Sequence, residues 1–136
     1  MTAARAAAVT SLVLFAGACM IGPTVWNYPV ATRPAGATVA VRVSGETSDR
    51  VGEMLASDSG GVVVRGPRLA RIPWRSLAAM DVADQGARYD VRWGERVGEA
   101  KWRRLALLSR FPSGLEGEVL RRVLAGAGQD SLDVVP

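Results

Sequence analysis

Residues 39–65 read VAVRVSGETSDRVGEMLASDSGGVVVR and hold three candidate β-strands separated by turn signals. Over 39–43 valine alternates with alanine or arginine, which is the period of a strand with one buried face. A second candidate runs over 51–56, and the SDSGG that follows at 57–61 favours a tight turn into a third strand at 62–65. Short strands at this spacing predict a small β-barrel or sandwich.

The same pattern continues towards the C-terminus with three further candidate strands. Gly66-Pro67 turns the chain, and residues 69–74 form a fourth strand in which Pro73 implies an edge or a strand end. Residues 77–82 form a short fifth strand. Residues 87–93 alternate apolar and charged side chains and predict a sixth, at the edge of the sheet.

From Gly94 onward the apolar spacing becomes helical. The first helical segment ends at Phe111-Pro112, because the residue before a proline disfavours the helical backbone. Residues 113–116, SGLE, have the spacing of a capping box and predict the start of a second helix. The apolar stripe of this helix consists of Leu115, Val119, Leu120, Val123 and Leu124.

The end of the chain carries two further signals. Gly126 or Gly128 can supply a left-handed C-cap for the second helix. Residues 132–135 fit either a closing strand or a frayed tail. Together the patterns predict an α+β fold, a five- to six-stranded antiparallel β-barrel over 37–93 followed by two C-terminal helices that pack on it over 94–136.

Two short segments carry a resemblance to a known fold. Residues 52–58, GEMLASD, then an apolar strand, then residues 71–77, RIPWRSL, resemble an Sm-like or SH3-like small barrel over about residues 36–82. In that fold the glycine, here Gly52, lets a long second strand bend. The aspartate, here Asp58, closes the turn into the third strand.

The resemblance does not extend to the residues with which Sm-like proteins bind RNA. Those proteins carry an Arg-Gly or a Lys-His dipeptide near their last strands. This chain has no histidine, and its Arg65-Gly66 falls one strand too early. We therefore expect no nucleic-acid partner. The alternative is a cytosolic Sm-like RNA binder, in which the apparent signal would be an artefact of start-site choice.

The first eighteen residues have the pattern of a secretory signal. Arg5 precedes a charge-free run, 6–18, that is too short to cross a hydrocarbon core, which takes about 20 apolar residues. Ala16-Gly17-Ala18 then stands directly before Cys19, the only cysteine of the chain. This arrangement resembles the type II signal peptide of a bacterial lipoprotein, in which cleavage between Ala18 and Cys19 is coupled to lipidation of the cysteine.

The lipoprotein resemblance implies an anchored protein of the cell envelope, with the membrane as a partner. Met20 stands where an aspartate would imply retention at the inner membrane, so the resemblance implies the outer membrane, facing the periplasm. Plain secretion and an uncleaved anchor over residues 6–26 remain open alternatives. Residues 19–36 contain three prolines and predict a tether that spans about 50 Å at ~3.1 Å per residue.

The residue types of most catalytic sites are scarce in this chain. It has no histidine, and a lipidated Cys19 leaves no thiol for catalysis or zinc binding. The nearest carboxylate pairs, Asp81 with Asp84 and Asp130 with Asp133, lack the ligand run of a calcium loop. We expect no enzyme activity, no metal site and no cofactor.

Basic residues offer the one candidate binding site. The chain has a net charge of +4, and its arginines are most concentrated at Arg65, Arg68, Arg71 and Arg75. On adjacent strands these four could form a basic face for a carboxylated or phosphorylated polymer. The alternative is that they are solvated strand residues that discourage edge-to-edge aggregation. The expected function is a non-catalytic binding or scaffolding module whose partner is an envelope protein or an anionic cell-wall polymer.

Overall fold

The computed structural model describes residues 35–83, 87–90 and 97–136. The expected signal peptide at 1–18, most of the tether, and with them Ala18 and Cys19, lie outside the described residues. The strands are β1 (Thr38–Val43), β2 (Arg50–Asp58), β3 (Gly61–Arg65), β4 (Leu69–Pro73), β5 (Leu77–Val82), β6 (Ala87–Asp90) and β7 (Asp133–Val134). The helices are α1 (Glu99–Ala106) and α2 (Gly117–Gly126), and a 3₁₀ turn, Trp74–Ser76, joins β4 to β5.

The strands form one sheet in the order β6-β5-β1-β2-β3-β4-β7. Neighbouring strands are antiparallel, except that β7 runs parallel to β4. One mostly antiparallel sheet with two helices confirms the predicted α+β class. Within the described ranges, β6 and β7 end the strand order, so closure of the sheet into a barrel stays a prediction.

Strand β2 is the longest described strand, and each half of it pairs with a different neighbour. Its first half pairs with β1 and its second half with β3, and the two ladders meet at Glu53. The register against β3 shifts between Met54 and Ala56, which is the irregularity of a bulge. Gly52 lies so close to β3 that a Cβ atom there would be 2.2 Å from the carbonyl oxygen of Arg65. A glycine is therefore required where the two strands approach each other.

Apolar side chains pack against both faces of the sheet. On one face the main core gathers side chains from β1, β3, β4 and β5 together with Leu105 and Leu108, which belong to α1 and the turn after it. On the other face the α2 core contains Leu55, Val63 and Leu69 from the strands, and Leu115 and Leu124 from the C-terminal segment. Strands β3 and β4 are thus buried on both faces, and each helix packs on the sheet.

Helix α2 begins later than the capping-box pattern predicts. The helix starts at Gly117, and its N-cap, Glu116, makes no side-chain capping hydrogen bond. The prediction of a start at residue 113 is wrong because the Gly114 amide instead donates to the Phe111 carbonyl and closes a turn. Gly117 then adopts a left-handed backbone, with a φ of 54°, and Leu115 is buried in the α2 core.

The first helical segment also ends earlier than its sequence suggests. Helix α1 stops at Ala106, before Phe111-Pro112. The Ser109 hydroxyl donates to the Ala106 carbonyl at 2.6 Å, which competes with a helical hydrogen bond at that carbonyl. The amides of Arg110 and Phe111 then donate to the Met54 and Leu55 carbonyls of β2, so the chain leaves the helix to join the sheet.

The C-terminal segment returns to the sheet as β7. Gly128, with a φ of 65°, provides the left-handed cap of α2, one of the two positions predicted for it. The Gly128 amide donates to the Ala125 carbonyl and the Gln129 amide to the Leu124 carbonyl, which is the Schellman pattern. Of the alternatives for residues 132–135, the structure shows the strand. No helix in the described part of the chain is long and apolar enough to cross a membrane.

Candidate functional site

The four candidate arginines occupy different positions around β4. Arg65 ends β3, Arg68 lies in the turn between β3 and β4, Arg71 is in β4, and Arg75 is in the 3₁₀ turn. Three of them face acidic partners from distant parts of the chain. Their role therefore depends on which guanidinium hydrogens these ion pairs leave available.

The Arg71 side chain is hydrogen-bonded to the turn between β2 and β3. Its Nη1 and Nη2 atoms donate to the two carboxylate oxygens of Asp58 at 2.9 Å and 2.7 Å. The same carboxylate accepts from the amides of Gly60 and Gly61, as expected for an aspartate that closes this turn. The Trp74 indole donates to the Asp58 carbonyl at 2.8 Å. We call this arrangement the Asp58 clasp.

The Asp58 clasp keeps its carboxylate ionised. Partial burial raises the pKa of Asp58, but the hydrogen bonds from Arg71 and the two glycine amides outweigh burial and hold that pKa below its ordinary value. The hydrogen bond from Asp58 likewise raises the pKa of Arg71. Arg71 thus stabilises the turn between β2 and β3, since both of its terminal nitrogens donate to the Asp58 carboxylate.

Arg68 pairs the β3–β4 turn with the last strand, β7, through Asp133. Its Nε and Nη2 atoms donate to the Asp133 carboxylate at 2.6 Å and 3.0 Å, and this hydrogen bonding lowers the pKa of Asp133. About 63% of the Arg68 side chain remains exposed. Ion pairs this exposed contribute little to stability, so Arg68 can exchange a partner at low cost.

Of the three paired arginines, Arg65 has the longest ion-pair distance. Its nearest acidic oxygen belongs to Glu53, at 4.0 Å, which is beyond hydrogen-bond distance. Glu53 instead accepts from Arg110 at 2.7 Å and from the Gly36 amide at 2.8 Å. Arg75 has an exposed side chain and makes no ion pair with any residue in the described ranges.

A groove lies between the β3–β4 turn and the C-terminal half of α2. It brings two of the candidate arginines together with Arg122, which was not a candidate. It has a volume of about 490 Å³. Its charged lining residues are Arg65, Arg68 and Arg122, and its lining contains no acidic residue. We call it the basic groove. Arg71 and Arg75 do not line it.

Sequence reasoning missed Arg122 as a site residue. The helical period places Arg122 on the polar side of α2, which is the signal that it reaches solvent. That period does not indicate which strand turn lies beside the helix. The contact depends on Leu124 and its neighbours docking on β3 and β4, which is a long-range feature.

A second cleft lies on the other side of the β3–β4 turn, with a volume of about 470 Å³. Its lining combines apolar residues with four charged ones, Asp49, Arg50, Arg68 and Asp133. The cleft therefore contains two basic and two acidic side chains. An anion would meet repulsion there as well as attraction, which distinguishes this cleft from the basic groove.

Comparison with known proteins adds no further constraint. No protein-family model, curated protein or solved structure matches the chain. In the described part of the chain, no three side chains among histidine, cysteine, aspartate and glutamate come together as a metal site. The basic groove is the candidate site because its charged lining residues are three arginines, whose guanidinium groups suit carboxylate and phosphate groups.

Proposed function

We propose that this chain is a cell-envelope lipoprotein, lipidated on Cys19, whose folded part is a non-catalytic binding or scaffolding module. The observation that carries the proposal is the position of Cys19, directly after Ala16-Gly17-Ala18 at the end of a short charge-free run. Acyl chains stabilise membrane attachment by about 0.8 kcal/mol per buried CH₂, so several chains make it durable. The proposed location is the outer membrane, facing the periplasm.

The way in which the chain enters the fold supports an anchored module. The Gly36 amide donates to Glu53, and the Ala37 amide donates to the Leu108 carbonyl at 2.8 Å. These bonds hold the start of the described domain at one place on β2 and the turn after α1. The residues between Cys19 and that place can span about 50 Å at ~3.1 Å per residue, enough to hold the module off a membrane surface.

Metabolic labelling with palmitate, followed by fractionation, tests the anchor. Wild type and Cys19→Ser are expressed in a bacterial host that processes lipoproteins. We expect label and membrane association for wild type, and loss of both for Cys19→Ser. Equal labelling of the two proteins, or a wild type found only in the soluble fraction, would refute the anchor.

A further inference from the structure

We propose that the basic groove binds the phosphate or carboxylate groups of an anionic envelope glycopolymer through Arg65, Arg68 and Arg122. The polymer class rests on the proposed function, which places the module in the envelope. The anion chemistry rests on the groove itself, whose lining holds three guanidinium groups and no acid. A guanidinium group matches a carboxylate or a phosphate with two parallel hydrogen bonds.

Each of the three arginines retains donors for a ligand. The Arg65 guanidinium makes no hydrogen bond to a described residue, and 38% of the side chain is exposed. Arg68 bonds to Asp133 through Nε and Nη2, which orients the guanidinium while its Nη1 hydrogens stay available. Arg122 reaches Glu118 only at 3.3 Å, with 79% of its side chain exposed. A ligand anion therefore replaces water at these groups and breaks no buried pair.

The end of α2 also borders the groove, and a helix C-terminus carries partial negative charge that opposes an anion. In this structure three carbonyls of the last turn of α2 already accept hydrogen bonds. The Val123, Leu124 and Ala125 carbonyls accept from the amides of residues 127–129 in the cap around Gly128. This capping satisfies these acceptors, and the charged side chains that line the groove are all arginines.

The sequence offers a matched control for the groove. Arg121 and Arg122 are neighbours on α2, both pair with Glu118, and their side chains are 78% and 79% exposed. Only Arg122 lines the groove. Arg103 on α1 is a second exposed arginine, paired with Glu99 at i,i+4, that lies outside it. The double variants Arg65→Ala/Arg122→Ala and Arg103→Ala/Arg121→Ala therefore remove equal charge from different places.

The test measures binding by the full chain in detergent micelles. The probes are inorganic polyphosphate, poly-L-glutamate of equal charge number, and neutral dextran, with circular dichroism to verify folding of each variant. We expect the groove variant to lose about tenfold in affinity for the better polyanion and the control variant to lose less than about twofold. Dextran is expected not to bind.

Three results would overturn the proposal. Equal losses in the two double variants would mean that binding follows net charge and not the groove. Failure of wild type to bind either polyanion at low salt would remove the site. Tighter groove-dependent binding of single-stranded RNA with the same number of phosphates would assign the groove to nucleic acid. Palmitate labelling is independent of all three, so the anchor and the groove can fail separately.

Discussion

Arg68 and Arg71 each pair with a single carboxylate that comes from a distant position in the chain. Arg71 joins β4 to Asp58 at the β2–β3 turn, and Arg68 joins the β3–β4 turn to Asp133 near the C-terminus. Neither pairing follows from spacing in sequence, because the partners are 13 and 65 residues apart. The cluster of arginines was predictable, whereas its division between the Asp58 clasp and the basic groove depends on strand register.

Stability should depend on pH through the Asp58 clasp. A carboxylate whose folded-state pKa lies below its unfolded value stabilises the fold above the unfolded pKa, and this contribution is lost as pH falls through the folded pKa. We expect Asp58→Asn to lower the free energy of unfolding by about 1 kcal/mol at pH 7, after allowance for partial exposure. Below about pH 4 the difference from wild type should shrink.

Urea unfolding at pH 7 and at pH 3 measures this difference. Asp130→Asn is the control, because Asp130 is exposed and forms no ion pair with another described residue. A difference between wild type and Asp58→Asn that stays constant between the two pH values would show that the charge of Asp58 does not stabilise the clasp.

Gly52 provides a second test at the scale of a single residue. In Gly52→Ala the new Cβ atom would be 2.2 Å from a backbone oxygen of β3, so β2 and β3 must separate. We expect the free energy of unfolding to fall by about 1–3 kcal/mol. The control, Gly126→Ala, adds a Cβ atom where no other atom lies within 4 Å. It should leave stability unchanged or raise it by up to about 1 kcal/mol. Equal effects in thermal unfolding would contradict the close approach at Gly52.

At the scale of elements, the strands were more predictable than the helix boundaries. The five strands predicted between residues 39 and 82 match β1–β5 within two residues at each end, because alternation and turn residues are local signals. Helix α2 begins three residues later than its capping-box pattern predicts, because turn formation at residues 111–114 and burial of Leu115 outweigh the local preference. For the predicted sixth strand, β6 covers residues 87–90, and the remainder lies outside the described residues.

The edge of β4 illustrates a long-range feature that local patterns do not indicate. The side-chain amide of Gln129 accepts from the Leu69 amide at 2.7 Å and donates to the Leu69 carbonyl at 3.2 Å. Gln129 is buried, and β7 pairs with β4 immediately beyond it. A side chain thus makes the hydrogen bonds of a neighbouring strand, and a polar residue in a C-terminal turn belongs to the core.

Replacing Gln129 should therefore destabilise the whole domain. Gln129→Ala leaves the amide and the carbonyl of Leu69 buried without their partner, and we expect a loss of about 1–3 kcal/mol in chemical unfolding. Ser131→Ala, an exposed position in the same turn, should change stability by less than about 0.5 kcal/mol. Comparable losses in both variants would indicate that the turn as a whole, and not the Gln129 amide, protects the edge of β4.

At the scale of the molecule, one sheet with two apolar cores presents a basic groove on the side covered by α2. The main core and the α2 core are separate clusters of described residues, and the basic groove lies beside the α2 core. The α+β class could be predicted from strand and helix periods. The groove could not, because it requires the docking of two segments that are more than fifty residues apart.

Intact-mass and peptide mass spectrometry of the membrane-extracted protein test whether a lipid on Cys19 holds this domain in the envelope. We expect the mature chain to begin at Cys19, with the N-terminal peptide heavier than its sequence by the mass of the attached acyl chains. An N-terminal peptide that begins at Cys19 without added mass, or a chain that still carries residues 1–18, would show that Cys19 is not a lipid anchor.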